Sequence, residues 1–307
     1  MTTTVERPVT AAPAPRRRAP GVGVGTGALN ILNGTFLLIW GLLTTLPLLW
    51  AMVSAFKTNR EFLLSPWGLP SVARFENFAR AWTVANIGQY FVNSVIVVVI
   101  SVPLTMLFGA MAAYVLSRYQ FPGNRIIYFG FVGGLIFPVF LALVPLFFVV
   151  RNLGTVPVIG PLLGLNSLLS LALVYVAFSM PFTVFFLTAF FRTQPTSIAE
   201  AAIIDGCSHF GLFFRVMLPM ARPGLISIGL FNVLGHWNQY VLPVVLMNEP
   251  DKKVLAQGLA ALAISQGYRG DWTALFAGLV IALLPVLIVY ILFQKQVQAG
   301  LTAGVLK

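Results

Sequence analysis

The stretch that decides the fold class runs from residue 90 to residue 116 and reads YFVNSVIVVVISVPLTMLFGAMAAYVL. It contains no Asp, Glu, Lys, Arg or His, and it exceeds the roughly 20 apolar residues that cross the hydrocarbon core of a bilayer. Since lipid offers no hydrogen bonds, the backbone of such a stretch has to satisfy its own polar groups, and a helix does so. The stretch therefore predicts a transmembrane α-helix.

Five further stretches have the same character, and among them only the fourth contains any of these five residue types, at His236. They cover residues 29–56, 126–150, 166–191, 223–247 and 273–293. The whole chain is 58% hydrophobic and 9% charged, whereas soluble domains are about 45–50% apolar and about 25% charged. We therefore predict an all-α integral membrane protein whose six transmembrane helices lie within residues 29–307. Residues 1–28, rich in Thr, Ala, Pro, Gly and Arg, are predicted to be a disordered cytoplasmic tail.

The charge distribution predicts an orientation in the membrane. The chain carries 19 Lys and Arg against 8 Asp and Glu, but the basic residues are scattered between apolar stretches and form no patch for nucleic acid. Arg16, Arg17 and Arg18 form a cluster before the first span, which favours a cytoplasmic N-terminus. Six spans then place both termini and the 192–222 loop in the cytoplasm. A single cysteine, Cys207, excludes an intrachain disulfide, and we expect no metal site in this chain.

The segment 195–223, between the fourth and fifth predicted spans, has the pattern of two short helices around Gly206. Ser197 and Glu200 have the spacing of a capping box, which predicts that Ser197 begins the first helix. Four apolar residues at the spacing of one helical face predict the second helix, which Pro219 ends: Phe210, Phe213, Phe214 and Met217. The pattern fits a docking element for a partner, and it also fits an amphipathic helix on the membrane surface.

The same segment carries a spaced motif: Glu200-Ala201-Ala202, three residues, Gly206, nine residues, then Val216-Met217-Leu218-Pro219. It resembles the EAA loop of binding-protein-dependent ABC importer permeases, Glu-Ala-Ala-x3-Gly-x9-Ile-x-Leu-Pro, with Val in place of Ile. The resemblance implies a coupling helix seated in a cleft of a cytoplasmic ATPase. The residues that it implies for this contact are Glu200, Ala201, Ala202, Asp205, Gly206, Leu218 and Pro219.

Other segments extend the resemblance from about residue 36 to the end of the chain. They are residues 91–94, the inner loop 114–123, Trp237-Asn238, Asp271-Trp272 and the ending 300–307. They are similar to the second, six-span permease subunit of maltose-type sugar importers. The resemblance implies a type I ABC importer permease fold and uptake of a sugar or oligosaccharide across a bacterial cytoplasmic membrane. It also implies three kinds of partner: a second permease that forms a heterodimer with this chain, two ATPase subunits that use ATP and Mg, and an extracytoplasmic sugar-binding protein.

A polar and aromatic cluster interrupts the fifth apolar stretch: His236, Trp237, Asn238, Gln239 and Tyr240. Polar groups at membrane depth usually face the bundle interior or a water-filled cavity, so the cluster is a candidate part of a translocation path. Hydrogen bonding between helices explains it equally well. Asn93 and Ser94 in the second stretch leave the same two alternatives open.

Two other classes of function fit the sequence poorly, while import of a solute other than a sugar remains an alternative. A proton-coupled secondary transporter generally needs carboxylates at membrane depth, and none of the six stretches contains one. A membrane enzyme would need clustered acids, but the eight acids are scattered, and neither Asp-x-Asp nor His-Glu-x-x-His occurs. The chain also lacks a Gly-x4-Gly-Lys-[Ser/Thr] P-loop, so we expect no ATPase site and no cofactor of its own.

Overall fold

Helices make up the regular structure of the computed structural model, which describes the backbone of residues 24–303 and the side chains of residues 29–265 and 270–294. The α-helices are α1 (Val24–Ser54), α2 (Asn59–Leu64), α3 (Glu76–Thr83), α4 (Ile87–Arg118), α5 (Asn124–Ile136), α6 (Val139–Leu153), α7 (Gly160–Leu163), α8 (Leu168–Thr193), α9 (Thr196–Ile204), α10 (His209–Gly211), α11 (Leu218–Met220), α12 (Arg222–Trp237), α13 (Val241–Leu246), α14 (Leu255–Arg269) and α15 (Trp272–Ala303). A π-helical segment, Leu212–Met217, joins α10 to α11, and Pro250–Lys252 forms a 3-10 turn.

Contacts divide the chain into two units, residues 1–50 and residues 51–307. The described part of the first unit is helix α1 up to residue 50, with apolar side chains that are mostly exposed. The predicted tail over 1–28 lies outside the described residues as far as residue 23, and residues 24–28 belong to α1. All the elements that carry candidate functional residues belong to the second unit.

Four of the six predicted spans are unbroken helices: Leu29–Ser54, Ile87–Arg118, Leu168–Thr193 and Trp272–Gln294. The third prediction, one helix over 126–150, is wrong in detail because α5 and α6 meet at a bend of 104°. Pro138 stands at this bend, where it has no N–H to continue α5 and where its ring would clash with the carbonyl four residues back. The pair counts as one span when it is taken together, and its composition is apolar throughout.

The fifth prediction, one helix over 223–247, is also wrong in detail. Helix α12 ends at Trp237, residues 238–240 are not α-helical, and α13 resumes at Val241. The break coincides with the polar residues Asn238 and Gln239, whose side chains bond nearby backbone groups and so satisfy them outside a helix. Helix α12 forms a bent pair instead with the helical run His209–Met220, at 77°. With each bent pair taken as one span, the described chain has up to six spans.

At each end of the bundle, residues that the predicted topology assigns to one side of the membrane are in contact with each other. At one end, Arg118 donates a 2.6 Å hydrogen bond to the carbonyl of Gln194, and the Arg192 guanidinium lies 5.3 Å from the centre of the Tyr128 ring. At the other end, Arg80 forms an ion pair with Asp271 at 3.2 Å. Which end is cytoplasmic stays a prediction.

Candidate coupling loop and mid-membrane site

Helix α9, the first helix of the 195–223 loop, begins at Thr196 and has Pro195 as its N-cap residue. No side chain caps its N-terminus, so the predicted capping box from Ser197 to Glu200 is wrong. The extended backbone of Pro195, with φ −61° and ψ 131°, places the helix start before Ser197. Ser197 therefore lies within the first turn, and Glu200 is exposed on the helix surface.

Gly206 ends α9 in a Schellman motif. The amide of Cys207 bonds the carbonyl of Ala202 at 3.0 Å, and the amide of Gly206 bonds the carbonyl of Ile203 at 2.9 Å. These bonds satisfy carbonyls that the helix end would otherwise leave unpaired. They require the left-handed backbone of Gly206, whose φ is +82°.

The outer face of α9 combines apolar and acidic side chains. Ile204 is 84% exposed and Ile203 is 49% exposed, and Glu200 and Asp205 are exposed beside them. Ala201 is exposed as well, whereas Ala202 is half-buried and packs with Ala199 against a core cluster. The small alanine therefore seats α9 closely on its own protein and leaves the larger side chains directed outward.

The second half of the loop departs from the predicted single helical face. The amide of Leu218 bonds the carbonyl of Phe213, five residues back, as in a π-helix. Because this spacing is wider than that of an α-helix, Leu212 joins two of the predicted residues on the buried side, Phe213 and Met217. The other two, Phe210 and Phe214, are 74% and 44% exposed. Helix α11 ends at Met220, one residue after the predicted end at the exposed Pro219.

The buried side of the loop is attached to the ends of two long spans. The Tyr114 ring of α4 lies 5.1 Å from the ring of Phe213 and 5.6 Å from that of Phe191 in α8. Gln194 Nε2 donates to the carbonyl of Met217 at 3.3 Å, while the carbonyl of Gln194 accepts from Arg118. A displacement of the loop therefore reaches α4 and α8 through packed rings and hydrogen bonds.

His236 is held between three long helices at mid-depth. Its Nδ1 lies 2.7 Å from Ser101 Oγ of α4, and its Nε2 lies 2.7 Å from Ser179 Oγ of α8. The Tyr175 ring lies 5.1 Å from the imidazole, and His236 is buried. Both ring nitrogens thus have hydroxyl partners, and the residue joins α4, α8 and α12 inside the bundle.

A second polar contact between α8 and α12 was not among the predicted residues. Asn232 Nδ2 donates to Thr183 Oγ1 at 2.9 Å. Asn232 precedes His236 by four residues and Thr183 follows Ser179 by four, so both pairs lie on facing helix sides. This spacing of polar residues in two apolar stretches is the signal from which the contact could have been predicted.

The remaining cluster residues divide between the core and an exposed surface. Trp237 is buried and its Nε1 donates to the carbonyl of Ala282 at 3.1 Å. Gln239 Oε1 accepts from the amides of Tyr240 and Val241, which begin α13. Asn238 and Tyr240 are exposed at the break between α12 and α13. The structure therefore brings exposed polar side chains to this break, while His236 and Trp237 serve packing.

Asn93 and Ser94 lie near the start of α4 and are almost fully buried. Asn93 Nδ2 donates to the carbonyls of Asp251 and Lys253, both at 2.8 Å. Ser94 Oγ accepts from the amide of Leu255 at 2.8 Å. In this structure both side chains pin the 251–255 segment to the start of α4.

Comparison with known proteins identifies the family. A family model described as the binding-protein-dependent transport system inner membrane component matches residues 105–302. The chain belongs to this family. It is accordingly a membrane permease subunit of an ABC importer, as the EAA loop indicated.

Relatives of this permease cover most of the chain. A diacetylchitobiose uptake system permease protein of Streptomyces coelicolor is 51% identical over 273 residues, which are 89% of this chain and 87% of that protein. An arabinooligosaccharides transport system permease protein of Halalkalibacterium halodurans is 31% identical over 85% of this chain and 90% of its own length. Both alignments cover at least 85% of this chain.

A solved structure has the same fold as this permease. It is a chain of a bacterial ABC transporter involved in the import of the acidic polysaccharide alginate, with a TM-score of 0.74 and 22% identity. The match covers 90% of this chain and 99% of that chain. The predicted fold class, an all-α ABC importer permease, is confirmed.

Proposed function

We propose that this permease moves a sugar or oligosaccharide, delivered by an extracytoplasmic solute-binding protein, across a bacterial cytoplasmic membrane. The observation that carries the proposal is the 51% identity, over 89% of the chain, with a permease of a diacetylchitobiose uptake system. The relative named for arabinooligosaccharides points to the same substrate class.

The chain acts in a complex and brings no catalysis of its own. Its partners are a second permease, which forms a heterodimer with it, and two cytoplasmic ATPase subunits, which bind ATP and Mg. Residues 1–28 form the cytoplasmic tail and residues 29–307 the permease domain, with both termini in the cytoplasm. The 19 basic residues, 11 of which then lie inside, support this orientation.

The 195–223 loop couples the ATPase to the spans. Closure of the ATPase dimer on ATP moves α9, and the contacts of Tyr114, Gln194 and Met217 carry the movement to α4 and α8. The exposed acidic and apolar side chains of α9 fit a cleft in another protein. The residues assigned to coupling are Glu200, Ala201, Ala202, Asp205, Gly206, Leu218 and Pro219.

The solute passes the break between α12 and α13. Asn238 and Tyr240 are exposed there, where an amide and an aromatic ring suit hydroxyl groups and sugar rings. Gln239 and His236 shape this segment, as does Trp237. Asn93 and Ser94 support the outer end of the path through the 251–255 segment.

Uptake by the intact importer tests the proposal. The complex is purified from its own membranes through a tag on this chain, reconstituted with its binding protein in vesicles loaded with ATP, and supplied with labelled solutes. We expect ATP-dependent uptake of diacetylchitobiose or an arabino-oligosaccharide and none of an amino acid or inorganic phosphate. Uptake of a non-sugar solute without uptake of any saccharide overturns the sugar assignment.

A further inference from the structure

Two helix breaks lie at the same depth on either side of α8. Helix α5 has 13 residues and α12 has 16. At 1.5 Å per residue, α5 is about 20 Å long and α12 about 24 Å long. A Cβ at Gly134 of α5 would lie 2.8 Å from Pro181 Cγ of α8, and His236 of α12 bonds Ser179 of α8. Since Ser179 and Pro181 are two residues apart, both breaks reach α8 at one level near the middle of the span.

The break after α5 leaves backbone carbonyls without protein donors. Pro138 has no N–H, so it cannot donate to the carbonyl of Gly134. Around this break the amide of Phe137 donates to the carbonyl of Gly133, and the amide of Leu141 donates to the carbonyl of Pro138. The carbonyls of residues 134–136 therefore accept no protein hydrogen bond within the part of the chain that the structure describes. Leu135 is 41% and Ile136 is 79% exposed. Lipid cannot satisfy such carbonyls, so this surface faces water or another polar group.

A strip of phenylalanines extends from the level of the breaks toward the end of the bundle that carries the 195–223 loop. Phe182 and Phe186 are four residues apart on α8, with ring centres 4.7 Å apart, and Phe231 of α12 lies 6.1 Å from Phe182. Phe186 is 46% and Phe231 is 42% exposed, and Asn238 is exposed at the second break. Residues 134–139, 178–190 and 231–240 contain no Asp, Glu, Lys or Arg. The surface therefore offers hydrogen-bond acceptors and aromatic rings without charge.

We propose that these groups form one substrate-contacting wall of the solute path, the carbonyl–phenylalanine wall, made of the carbonyls of 134–136 together with Phe182, Phe186, Phe231 and Asn238. Saccharide hydroxyls donate to the free carbonyls, and the apolar faces of the sugar rings lie on the phenylalanines. This inference rests on the proposed sugar transport and adds that this subunit itself contacts the sugar, largely through its main chain. An uncharged polyhydroxyl ring satisfies both kinds of group at once.

Cysteine labelling of the assembled importer in vesicles tests the wall. In a Cys207→Ser background, Ile136→Cys and Asn238→Cys are treated with a charged, water-soluble methanethiosulfonate, with and without the transported sugar and binding protein. We expect both introduced thiols to react, and saturating sugar to slow the reaction at least about tenfold, which corresponds to roughly 1.4 kcal/mol of protection. Phe137→Cys, at a residue that is 55% exposed, is a second reporter if Ile136→Cys does not assemble.

Ile288→Cys is the matched control because Ile288 is 55% exposed on the unbroken helix α15 and lies after Pro285, so the amide of Leu292 remains to bond its carbonyl. We expect no reaction there. The wall is refuted if the thiols at 136 and 137 stay unreactive, if saturating sugar leaves their reaction rates unchanged, or if all positions react alike. Sugar uptake is measured in the same vesicles, so a transporting but unlabelled importer refutes the wall alone. An importer whose thiols react but which takes up no saccharide before labelling refutes the proposed function instead.

Discussion

Gly206 is the residue on which the geometry of the coupling loop depends. Its φ of +82° is accessible to glycine without strain, and a side chain there costs about 1–2 kcal/mol. A Cβ would meet no atom within 4 Å, so Gly206→Ala changes the backbone preference without a clash. We expect this variant to assemble but to hydrolyse several times more ATP for each sugar imported, because α9 no longer ends in its Schellman motif.

Gly123 supplies the matched control for that experiment. Its φ is +89°, and it too has no atom within 4 Å of a Cβ. Gly123→Ala thus carries a similar strain at the same end of the bundle, outside the 195–223 loop. Equal ratios of ATP hydrolysed to sugar imported in the two variants would show that Gly206 has no special part in coupling.

His236 supports a second prediction at the residue scale. In His236→Ala the hydroxyls of Ser101 and Ser179 lose their partner inside the bundle, and each buried unsatisfied group costs about 1–3 kcal/mol. We expect the midpoint of thermal inactivation of the purified importer to fall by several degrees. His209→Ala is the control, because the contact of His209 with Tyr119 is exposed and its loss should change the midpoint little. Equal shifts in the two variants would contradict the role of His236 as a link between three helices.

At the scale of elements, α2 depends on its capping box. Thr58 Oγ1 accepts from the amide of Glu61 at 3.1 Å, and Glu61 Oε2 accepts from the amide of Thr58 at 2.8 Å. Hydrogen bonds from the Ser71 side chain and from the amides of Thr58 and Ser71 lower the pKa of Glu61 from 4.5 to about 2. The lowered pKa means that the bonded carboxylate stabilises the loop fully above pH 4.5, and that this contribution is lost as the pH falls toward 2.

Hydrogen exchange of residues 58–71, corrected for intrinsic rates, checks this pH dependence. We expect protection to decrease progressively between pH 4.5 and pH 2 in the native chain. In Glu61→Gln the protection should be lower at neutral pH and should not change over this range. A native loop whose protection is constant down to pH 2 would contradict the assignment.

The phenylalanine strip makes a further prediction about α8. Phe186→Leu keeps an apolar side chain but removes the aromatic face, so we expect the sugar concentration for half-maximal uptake to rise severalfold, with assembly unchanged. Phe129→Leu is the control, because Phe129 is 63% exposed on α5 and lies outside the carbonyl–phenylalanine wall. Similar uptake curves for both variants would argue that the ring of Phe186 does not contact the solute.

At the scale of the whole molecule, the single cysteine reports the orientation. Cys207 is half-buried in the 195–223 loop, which is predicted to be cytoplasmic. We expect an impermeant maleimide to label it in inside-out vesicles and not in right-side-out vesicles. Leu69→Cys in a Cys207→Ser background should give the opposite result, since Leu69 is 82% exposed in the predicted outer loop. Labelling of both positions from the same side would overturn the predicted topology.

Membership in the permease family also determines how exposed surfaces are interpreted. Large apolar side chains are exposed along α1, α6 and α15, and in a membrane protein lipid or another subunit covers such surfaces. The exposed charged and apolar groups of α9 belong to a different environment, because they lie in a loop between spans. Exposed apolar side chains on the spans thus indicate contact with lipid or another subunit, whereas those of α9 lie in a loop between spans.

The sequence by itself determined the membrane class, the approximate spans and the position of the EAA motif in the 195–223 loop, because apolar length and motif spacing are local properties of the chain. Only the tertiary structure decided that Asn93 and Ser94 pin the 251–255 segment and that His236 bonds Ser101 and Ser179, which are distant in sequence. It also decided that the 126–150 and 223–247 stretches break, although both are apolar enough to read as single helices. The physical reason is that a backbone N–H or carbonyl at membrane depth can lack its helical hydrogen bond only where another group bonds it. That group is distant in sequence or lies outside the chain, so the local sequence does not reveal it.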